Sequence, residues 1–154
     1  MKKIPSLILL LVCCNKYFSN YPFVNKIFIV LACILGALAV IAGAIFAHQL
    51  KQRMPGSALE IYYTAVHYQI YHVFALIAAG ILSEKFRGAL ITWAGICFIA
   101  GIILFSGSLY FISGLLTIGN PVPLILGIMT PIGGVGFILG WIFLAIAVGR
   151  RRST

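Results

Sequence analysis

The chain has 154 residues, of which 62% are hydrophobic and only 8% are charged. Soluble domains carry about 25% charged residues and about 45–50% apolar ones, so this sequence has too little polar surface for a water-soluble fold. The net charge is +9, but the basic residues form short clusters between apolar runs. Nucleic acid needs a continuous basic face, so we expect the partner to be a lipid bilayer and not nucleic acid.

The first 23 residues differ from the rest and predict an N-terminal extension ahead of a transmembrane domain at 24–154. Lys2 and Lys3 precede an apolar run from Ile4 to Cys14, as in a secretory signal, but no small-x-small cleavage site follows. As a helix the run would be about 16 Å long, too short to cross a hydrocarbon core of about 30 Å. Two interpretations stay open: an interfacial segment, or an upstream stretch that the cell does not translate.

The remaining sequence contains apolar segments long enough to cross a bilayer, which takes about 20 residues. No charged residue occurs between Arg87 and Arg150, a stretch so long that it must fold back once. Ser113-Gly114 and the sequence from Gly119 to Pro123 mark the break. The sequence therefore predicts an all-α bundle with four transmembrane helices, at about 27–47, 60–83, 89–112 and 124–148.

Small residues and capping residues indicate how the first two spans are built. Gly36 and Gly43 belong to rows of small residues at four-residue spacing, which let helix backbones approach closely in lipid. We therefore expect the first helix to pack at the centre of the bundle. Ser57 and Glu60 predict a capping box at the start of the second helix.

Spans three and four carry further packing signals. Small hydroxyl residues in span three suit close packing with interhelical hydrogen bonds. Proline and glycines in span four predict a kinked fourth helix, and broken helices can form binding sites in transporters. The residues concerned are Ser106, Gly107, Ser108 and Tyr110 in span three, and Thr130, Pro131, Gly133 and Gly134 in span four.

The most unusual stretch is 60–72, at the start of the second span. It holds one of two acidic residues, two of three histidines and four of seven tyrosines. Unsatisfied polar groups in hydrocarbon cost several kcal/mol, so these side chains should meet other helices, headgroups or a water-filled cavity. Successive side chains of a helix are about 100° apart around its axis, so Glu60, Thr64, His67 and Tyr71 form one stripe. Tyr68 and His72 form a flanking stripe, with Gln69 beyond it. His48, at the end of span one, completes the candidate polar cluster.

The depth of the histidines separates two interpretations. If the hydrocarbon core begins near Tyr63, His72 lies about 13 Å deep, near the midplane, where a proton or ligand path is attractive. If the core begins near Tyr68, His67 and three tyrosines form an aromatic belt at the interface. We favour the belt for Tyr62 and Tyr63, and interhelical hydrogen bonding rather than catalysis for His72.

Metal binding and catalysis are not predicted. His67 and His72 are about 140° apart around the helix and cannot share one ion. Adding His48 and Glu60 still leaves the set short of a closed site. The chain has no aspartate to orient a catalytic histidine, and its four cysteines form no disulfide framework. We therefore expect no metal, no cofactor and no catalytic residues.

Several of these motifs together resemble the small bacterial membrane proteins called domain of unknown function 423, or uncharacterised protein family 0382, to which transmembrane protein 256 is related. The resemblance covers about 26–148 and implies a four-helix membrane protein of the bacterial inner membrane, without an assigned activity. Phe46 stands where the family pattern has a second glycine, and the leading residues exceed the family's usual start, which suggests translation from near Val24. The matching segments are Gly36–Val40, Gly43–His48, Tyr68–His72, Leu104–Tyr110 and Thr130–Gly134.

Lysine and arginine counts predict the orientation of the four spans. The N-terminus, the 84–87 turn and the C-terminus share one side, which holds nine of the eleven basic residues. The other side holds only Lys51 and Arg53. The positive-inside rule therefore places both termini in the cytoplasm.

Two functional hypotheses from different classes follow. The first is a structural or assembly-type membrane protein without catalytic activity, which associates with itself or with a larger membrane partner. The alternative is a small-solute or proton transporter or channel subunit whose path is lined by His67, Tyr71, His72 and the Pro131 break. An intramembrane enzyme is the least favoured class.

Overall fold

A computed structural model describes residues 23–45, 54–86 and 88–150. These residues form helices and turns and no strand. The predicted extension up to residue 22, His48 and Arg87 lie outside the described residues. The helices are α1 (Phe23–Ile45), α2 (Gly56–Lys85), α3 (Ala89–Gly101), a π-helical turn (Ile102–Ser106), α4 (Gly107–Thr117) and α5 (Leu124–Gly149).

Within the described residues, four helices are long and apolar enough to cross a membrane, and the third of them consists of α3, the π-helical turn and α4, which run on as one helix from Ala89 to Thr117. The prediction of an all-α membrane protein with four spans is therefore confirmed. The hydrophobic core is formed by residues of α1, α2, α3, the π-helical turn and α5, and Leu76, Ile91 and Phe98 within it are fully buried.

Helix α2 begins before the predicted capping box, so that prediction was wrong. Pro55 is extended, at φ −56° and ψ 147°, and caps the helix without a side-chain hydrogen bond. Its carbonyl oxygen already accepts the first helical hydrogen bond, from the Leu59 N–H at 3.0 Å. Ser57 therefore lies inside the first turn, where its hydroxyl cannot occupy the capping position.

The third span continues past Ser113-Gly114, where a break was predicted. Ser113 is buried and its hydroxyl donates to the Ala58 carbonyl at 2.8 Å, which ties α4 to the start of α2. The helix ends instead at Thr117, two residues before Gly119, whose φ of 71° is the left-handed conformation that favours glycine. The Asn120 N–H then bonds the Leu115 carbonyl at 2.9 Å, as in a Schellman motif.

Helix α1 lies at the flank of the bundle, not at its centre as the small-residue rows suggested. Only 17% of its most apolar stretch is buried, against 50% for α2. A Cβ at Gly36 would lie 3.3 Å from Val73 Cγ1, and one at Gly43 would lie 3.8 Å from Val66 Cγ1. The glycines therefore bring α1 close to α2 along one face, while its opposite face is exposed.

Rings packed over glycines join α5 to the third span. A Cβ at Gly101 would overlap the Phe137 ring, and one at Gly140 would overlap the Phe98 ring. Both rings are buried, at 4% and 0% exposure. Each glycine thus provides the space that a large ring on the other helix fills.

Helix α5 passes through Pro131 without a break, as one helix of 26 residues. The kink that proline predicts at this position stays a prediction. Two residues further on, Gly133 is buried against the backbone of Leu104 and Phe105 in the π-helical turn. The two helices therefore approach most closely at the turn itself.

We expect Gly133→Ala to destabilise the protein and Gly134→Ala to have little effect. A Cβ at Gly133 would overlap the Phe105 backbone N, so the helices must separate, and overpacking of this kind typically costs about 1–3 kcal/mol. A Cβ at Gly134 would lie 3.8 Å from the Phe105 ring, which is ordinary contact. Denaturant unfolding in detergent micelles measures the difference. Equal stability of the two variants would contradict the close approach.

Candidate functional site: the polar residues of helix α2

The predicted polar cluster of α2 divides between the interior and the surface of the bundle. Gln69 and His72 are buried, at 5% and 7% exposure, whereas Tyr71 is 59% exposed. Glu60 is also exposed, and His67 is half-buried. The structure therefore does not bring these residues into one site, and His48 lies outside the residues that it describes.

The buried part of the cluster is centred on the Gln69 side chain, which joins three helices. Its Nε2 donates to the Leu35 carbonyl of α1 at 2.8 Å. Its Oε1 accepts from the Tyr110 hydroxyl of α4 at 2.9 Å. A helix carbonyl has two lone pairs, so Leu35 can accept this bond in addition to its helical one. We call Gln69, Tyr110 and the Leu35 carbonyl the Gln69 node.

A second bond between α1 and α2 lies seven residues away on each helix. The Tyr62 hydroxyl donates to the Ala42 carbonyl at 3.1 Å, and the Tyr62 ring meets the Tyr110 ring edge-on at 5.1 Å. The antiparallel helices thus repeat the Gln69–Leu35 contact after one heptad. A heptad repeat is typical of helices that pack at a small crossing angle.

His72 is enclosed by aromatic rings and bonds within its own helix. Its Nδ1 lies 2.8 Å from the Tyr68 carbonyl oxygen, so an N–H on Nδ1 donates to that oxygen. The imidazole stacks on Phe137 at 3.4 Å between ring centroids and 9° between planes, and Phe98 lies 6.0 Å away. The hydrogen bond within α2 replaces the interhelical bond that we expected, and the contacts to other helices are aromatic.

The predicted stripe of Glu60, Thr64, His67 and Tyr71 does lie along one side of α2, and we call it the outer stripe. Thr64 donates to the Glu60 carbonyl at 2.9 Å, and the rings of His67 and Tyr71 stack at 5.9 Å. The Tyr63 ring meets His67 edge-on at 3.9 Å. Among the residues that the structure describes, these hydrogen-bond and ring contacts of the outer stripe all lie within α2.

Of the small hydroxyl residues of span three that we predicted to form interhelical hydrogen bonds, Ser108 does so and Ser106 does not. Ser108 and Thr130 lie 2.7 Å apart across α4 and α5, and each also lies within bonding distance of a carbonyl in its own helix, that of Phe105 or Leu126. Each hydroxyl has one proton, so either Ser108 or Thr130 can be the donor of the bond between them, while the other donates to the carbonyl in its own helix. Ser106 is fully buried, and its hydroxyl has no hydrogen-bond partner among the described residues.

The arrangement offers little catalytic chemistry within the described residues. They contain no group of three or more His, Cys, Asp or Glu side chains that could hold a metal ion. His67 and Tyr71 face outward while His72 faces inward, so they cannot line one path within a single chain. Pro131 is exposed and does not open α5.

The Gln69 node lies near the middle of helix α2 along its length. Helix α2 has 30 residues and is about 45 Å long, so its middle lies next to Ile70. Gln69 and His72 are therefore within about 3 Å of the middle along the helix axis. Tyr63 lies about 11 Å from the middle, towards the edge of a core of about 30 Å. Its role in an aromatic belt stays a prediction.

Sequence reasoning missed the partners of the interior residues. A glutamine in mid-span signals that a hydrogen bond is needed, but nothing in the sequence selects the Leu35 carbonyl or Tyr110 as its partner. The π-helical turn was also missed.

We expect Tyr110→Phe to weaken the fold more than Tyr68→Phe. Loss of the Tyr110 hydroxyl leaves the buried Gln69 Oε1 without its donor, and hydrogen bonds between membrane helices average about 0.6 kcal/mol with a maximum near 1.7 kcal/mol. Tyr68 is 41% exposed and contacts Phe105 through its ring, which the substitution keeps. A double-mutant cycle with Gln69→Leu measures the coupling. A coupling energy of zero would refute the bond.

Comparison with known proteins identifies relatives in bacteria. The family model described as "Protein of unknown function (DUF423)" matches residues 42–134. The UPF0382 membrane protein YwdK of Bacillus subtilis is 42% identical over 123 residues, which cover 79% of this chain and 95% of the relative. A UPF0382 membrane protein of Staphylococcus aureus is 43% identical over 122 residues, covering 79% of this chain and 94% of the relative.

A third relative, the UPF0382 membrane protein of Staphylococcus epidermidis, is 41% identical over 122 residues, covering 79% of this chain and 94% of the relative. No solved structure matches the chain. The match to the family model and the extent of these alignments confirm the resemblance described above. The chain therefore belongs to the DUF423 family, also called UPF0382, of membrane proteins of unknown function.

Proposed function

We propose that this protein is a non-catalytic assembly component of the bacterial cell membrane, which associates with a second copy of itself through the outer side of α2. The observation that carries the proposal is the outer stripe. His67 and Tyr71 lie near the middle of the longest span, on a surface that would otherwise meet lipid. Polar groups at that depth are costly unless another protein surface covers them.

The outer stripe continues as a heptad pattern along the whole of α2. The spacing alternates between four and three residues, which is the repeat of helices that pack as a coiled coil. Each of these residues is exposed or half-buried, so packing against the described residues does not cover the line. We call this line of residues the outer seam: Glu60, Thr64, His67, Tyr71, Phe74, Ala78 and Ile81.

A second copy fits the outer seam because its polar groups are self-complementary. All copies inserted in the same orientation can pair about a two-fold axis along the membrane normal, which brings each seam residue opposite its equivalent. A neutral histidine carries both a donor and an acceptor, and so does a tyrosine hydroxyl. His67 and Tyr71 can thus bond to the same residues of the partner.

The remaining interior groups support a structural role. The Gln69 node uses its donor and acceptor to hold α1 and α4 against α2. Ser113 holds α4 to α2, and the pair of Ser108 and Thr130 links α4 to α5. These side chains are engaged in holding the bundle together, which favours assembly over chemistry.

We also propose that both termini are cytoplasmic. The lysine and arginine distribution of the sequence supports this orientation. In intact cells, a membrane-impermeant maleimide should label a cysteine placed at Lys51 and not one placed at Arg151. Labelling of both cysteines, or of the second alone, would contradict the orientation.

Disulfide formation between single cysteines tests the seam directly, in a chain whose four native cysteines are replaced by alanine. Phe74→Cys lies on the seam and Ile138→Cys on α5, and the native side chains are similarly exposed, at 64% and 60%. We expect Phe74→Cys to form dimers in native membranes and Ile138→Cys to remain monomeric. Adding His67→Leu to Phe74→Cys should lower the dimer yield several-fold.

Equal crosslinking at both positions, or none at Phe74→Cys, would refute self-association through the seam. If the Phe74→Cys variant instead forms a disulfide with a different membrane protein, the partner of the seam is that protein and not a second copy. Size measurement by native mass spectrometry of the unmodified protein provides the independent check, and a monomer in lipid nanodiscs would count against the proposal.

A further inference from the structure

An open cleft of about 460 Å³ lies on the side of the bundle between α1 and the first turns of α5. Leu35 of α1 and Gln69 of α2 form its deep end, and Leu126 and Met129 of α5 form one wall. Ile103 and Phe111, which are 59% and 70% exposed, lie on the remaining wall. The cleft therefore extends from the Gln69 node to the first turns of α5.

The cleft exists because α5 is bound to its neighbours over only part of its length. From Gly133 onwards, buried residues pack α5 against α3 and the π-helical turn. Before that point, Leu124 and Ile125 are 80% and 60% exposed. Gly107 adds to the space, because a Cβ built there would meet nothing within 4 Å.

The polar groups that line the cleft are already engaged with the protein. Gln69 bonds Leu35 and Tyr110, and Tyr110 gives its only proton to Gln69. Ser108 is paired with Thr130. None of the described residues that line the cleft is charged, so they offer no group to hold a headgroup or an ionic ligand. Its occupant should be a hydrocarbon.

We propose that this cleft binds one acyl chain of a membrane lipid. The cleft lies among lipid-exposed apolar side chains, so hydrocarbon reaches it directly from the bilayer, and its volume falls within the range of about 300–1,000 Å³ typical of ligand pockets. Lipid tails are as apolar as leucine, so the chain gains no hydrophobic energy on entry. It gains dispersion contacts on several sides at once, because the walls of the cleft surround it, whereas a convex helix surface contacts a lipid tail on one side only.

Because dispersion contacts alone hold the acyl chain, we expect the cleft to be occupied most of the time, with rapid exchange of the bound lipid for lipids of the bilayer. The acyl chain also completes the packing of the bundle, because it fills the space between α1 and the first turns of α5 that no side chain of the described residues fills. A lipid held there would couple the position of α5 to the Gln69 node at the bottom of the cleft.

The native methionine on the cleft wall provides the test. The full chain is produced with photo-methionine, a diazirine analogue, so that Met129 carries the photoreactive group, and is placed in phosphatidylglycerol vesicles. After illumination, mass spectrometry should find the Met129 peptide joined to phosphatidylglycerol. Gly107→Leu, which fills the cleft, should lower this adduct several-fold.

Gly114→Leu is the matched control, because Gly114 lies two turns along α4, is exposed, has open space at its Cβ and does not line the cleft. It should leave the adduct unchanged. Thermal unfolding checks that both variants fold. If Gly107→Leu does not fold, Ile103→Trp replaces it as the variant that fills the cleft. In that variant Met129 is labelled with a lipid that carries a diazirine on its acyl chain. An adduct unaffected by filling the cleft, or one that joins Met129 to a second copy or to residues 1–22, would overturn the proposal.

Discussion

The bundle depends on the absence of hydrogen-bond partners in hydrocarbon. A side-chain amide in the middle of a membrane must find its donors and acceptors within the protein. Gln69 does so by donating to the Leu35 carbonyl at 2.8 Å and accepting from the Tyr110 hydroxyl at 2.9 Å. Because those partners are on different helices, the requirement of one amide fixes the positions of α1 and α4 relative to α2.

Steric fit acts together with this polar requirement. Helices in lipid gain little from hydrophobic burial against one another, so close approach and dispersion contacts determine which surfaces pack. Here rings occupy the space above glycines, with Phe137 over Gly101 and Phe98 over Gly140. The π-helical turn meets Gly133, so the place where α3 gives way to α4 is also the place of closest approach to α5.

Much of the fold could be predicted from the sequence, because the membrane restricts the possibilities. Long apolar segments separated by charged or proline-containing turns must become spanning helices. The ends of the helices were less predictable. Ser113-Gly114 suggested an end to the third span, but a hydrogen bond from Ser113 to the second span allows the helix to continue. Such a bond depends on a residue 55 positions away, which local pattern cannot reveal.

The polar cluster shows the same limit. Periodicity correctly placed Glu60, Thr64, His67 and Tyr71 on one side of α2, but it could not indicate which side faces the other helices. The structure turns Gln69 and His72 inward and leaves the stripe on the surface. The side that carries more polar residues is thus the exposed one, which is why the surface of α2, and not its interior face, suggests an association with another protein.

Because Gln69 is buried and bonded to Leu35 and Tyr110, we expect the Gln69 node to be dry. Water-edited solid-state NMR of the protein in bilayers measures its hydration without any substitution. Magnetisation that starts on water should reach the loop residues quickly and should not reach the Gln69 side-chain amide or the His72 ring, while a cross-peak should join Gln69 to Tyr110. Rapid transfer from water to Gln69 and His72 would mean that the interior is a hydrated path, and would contradict the account.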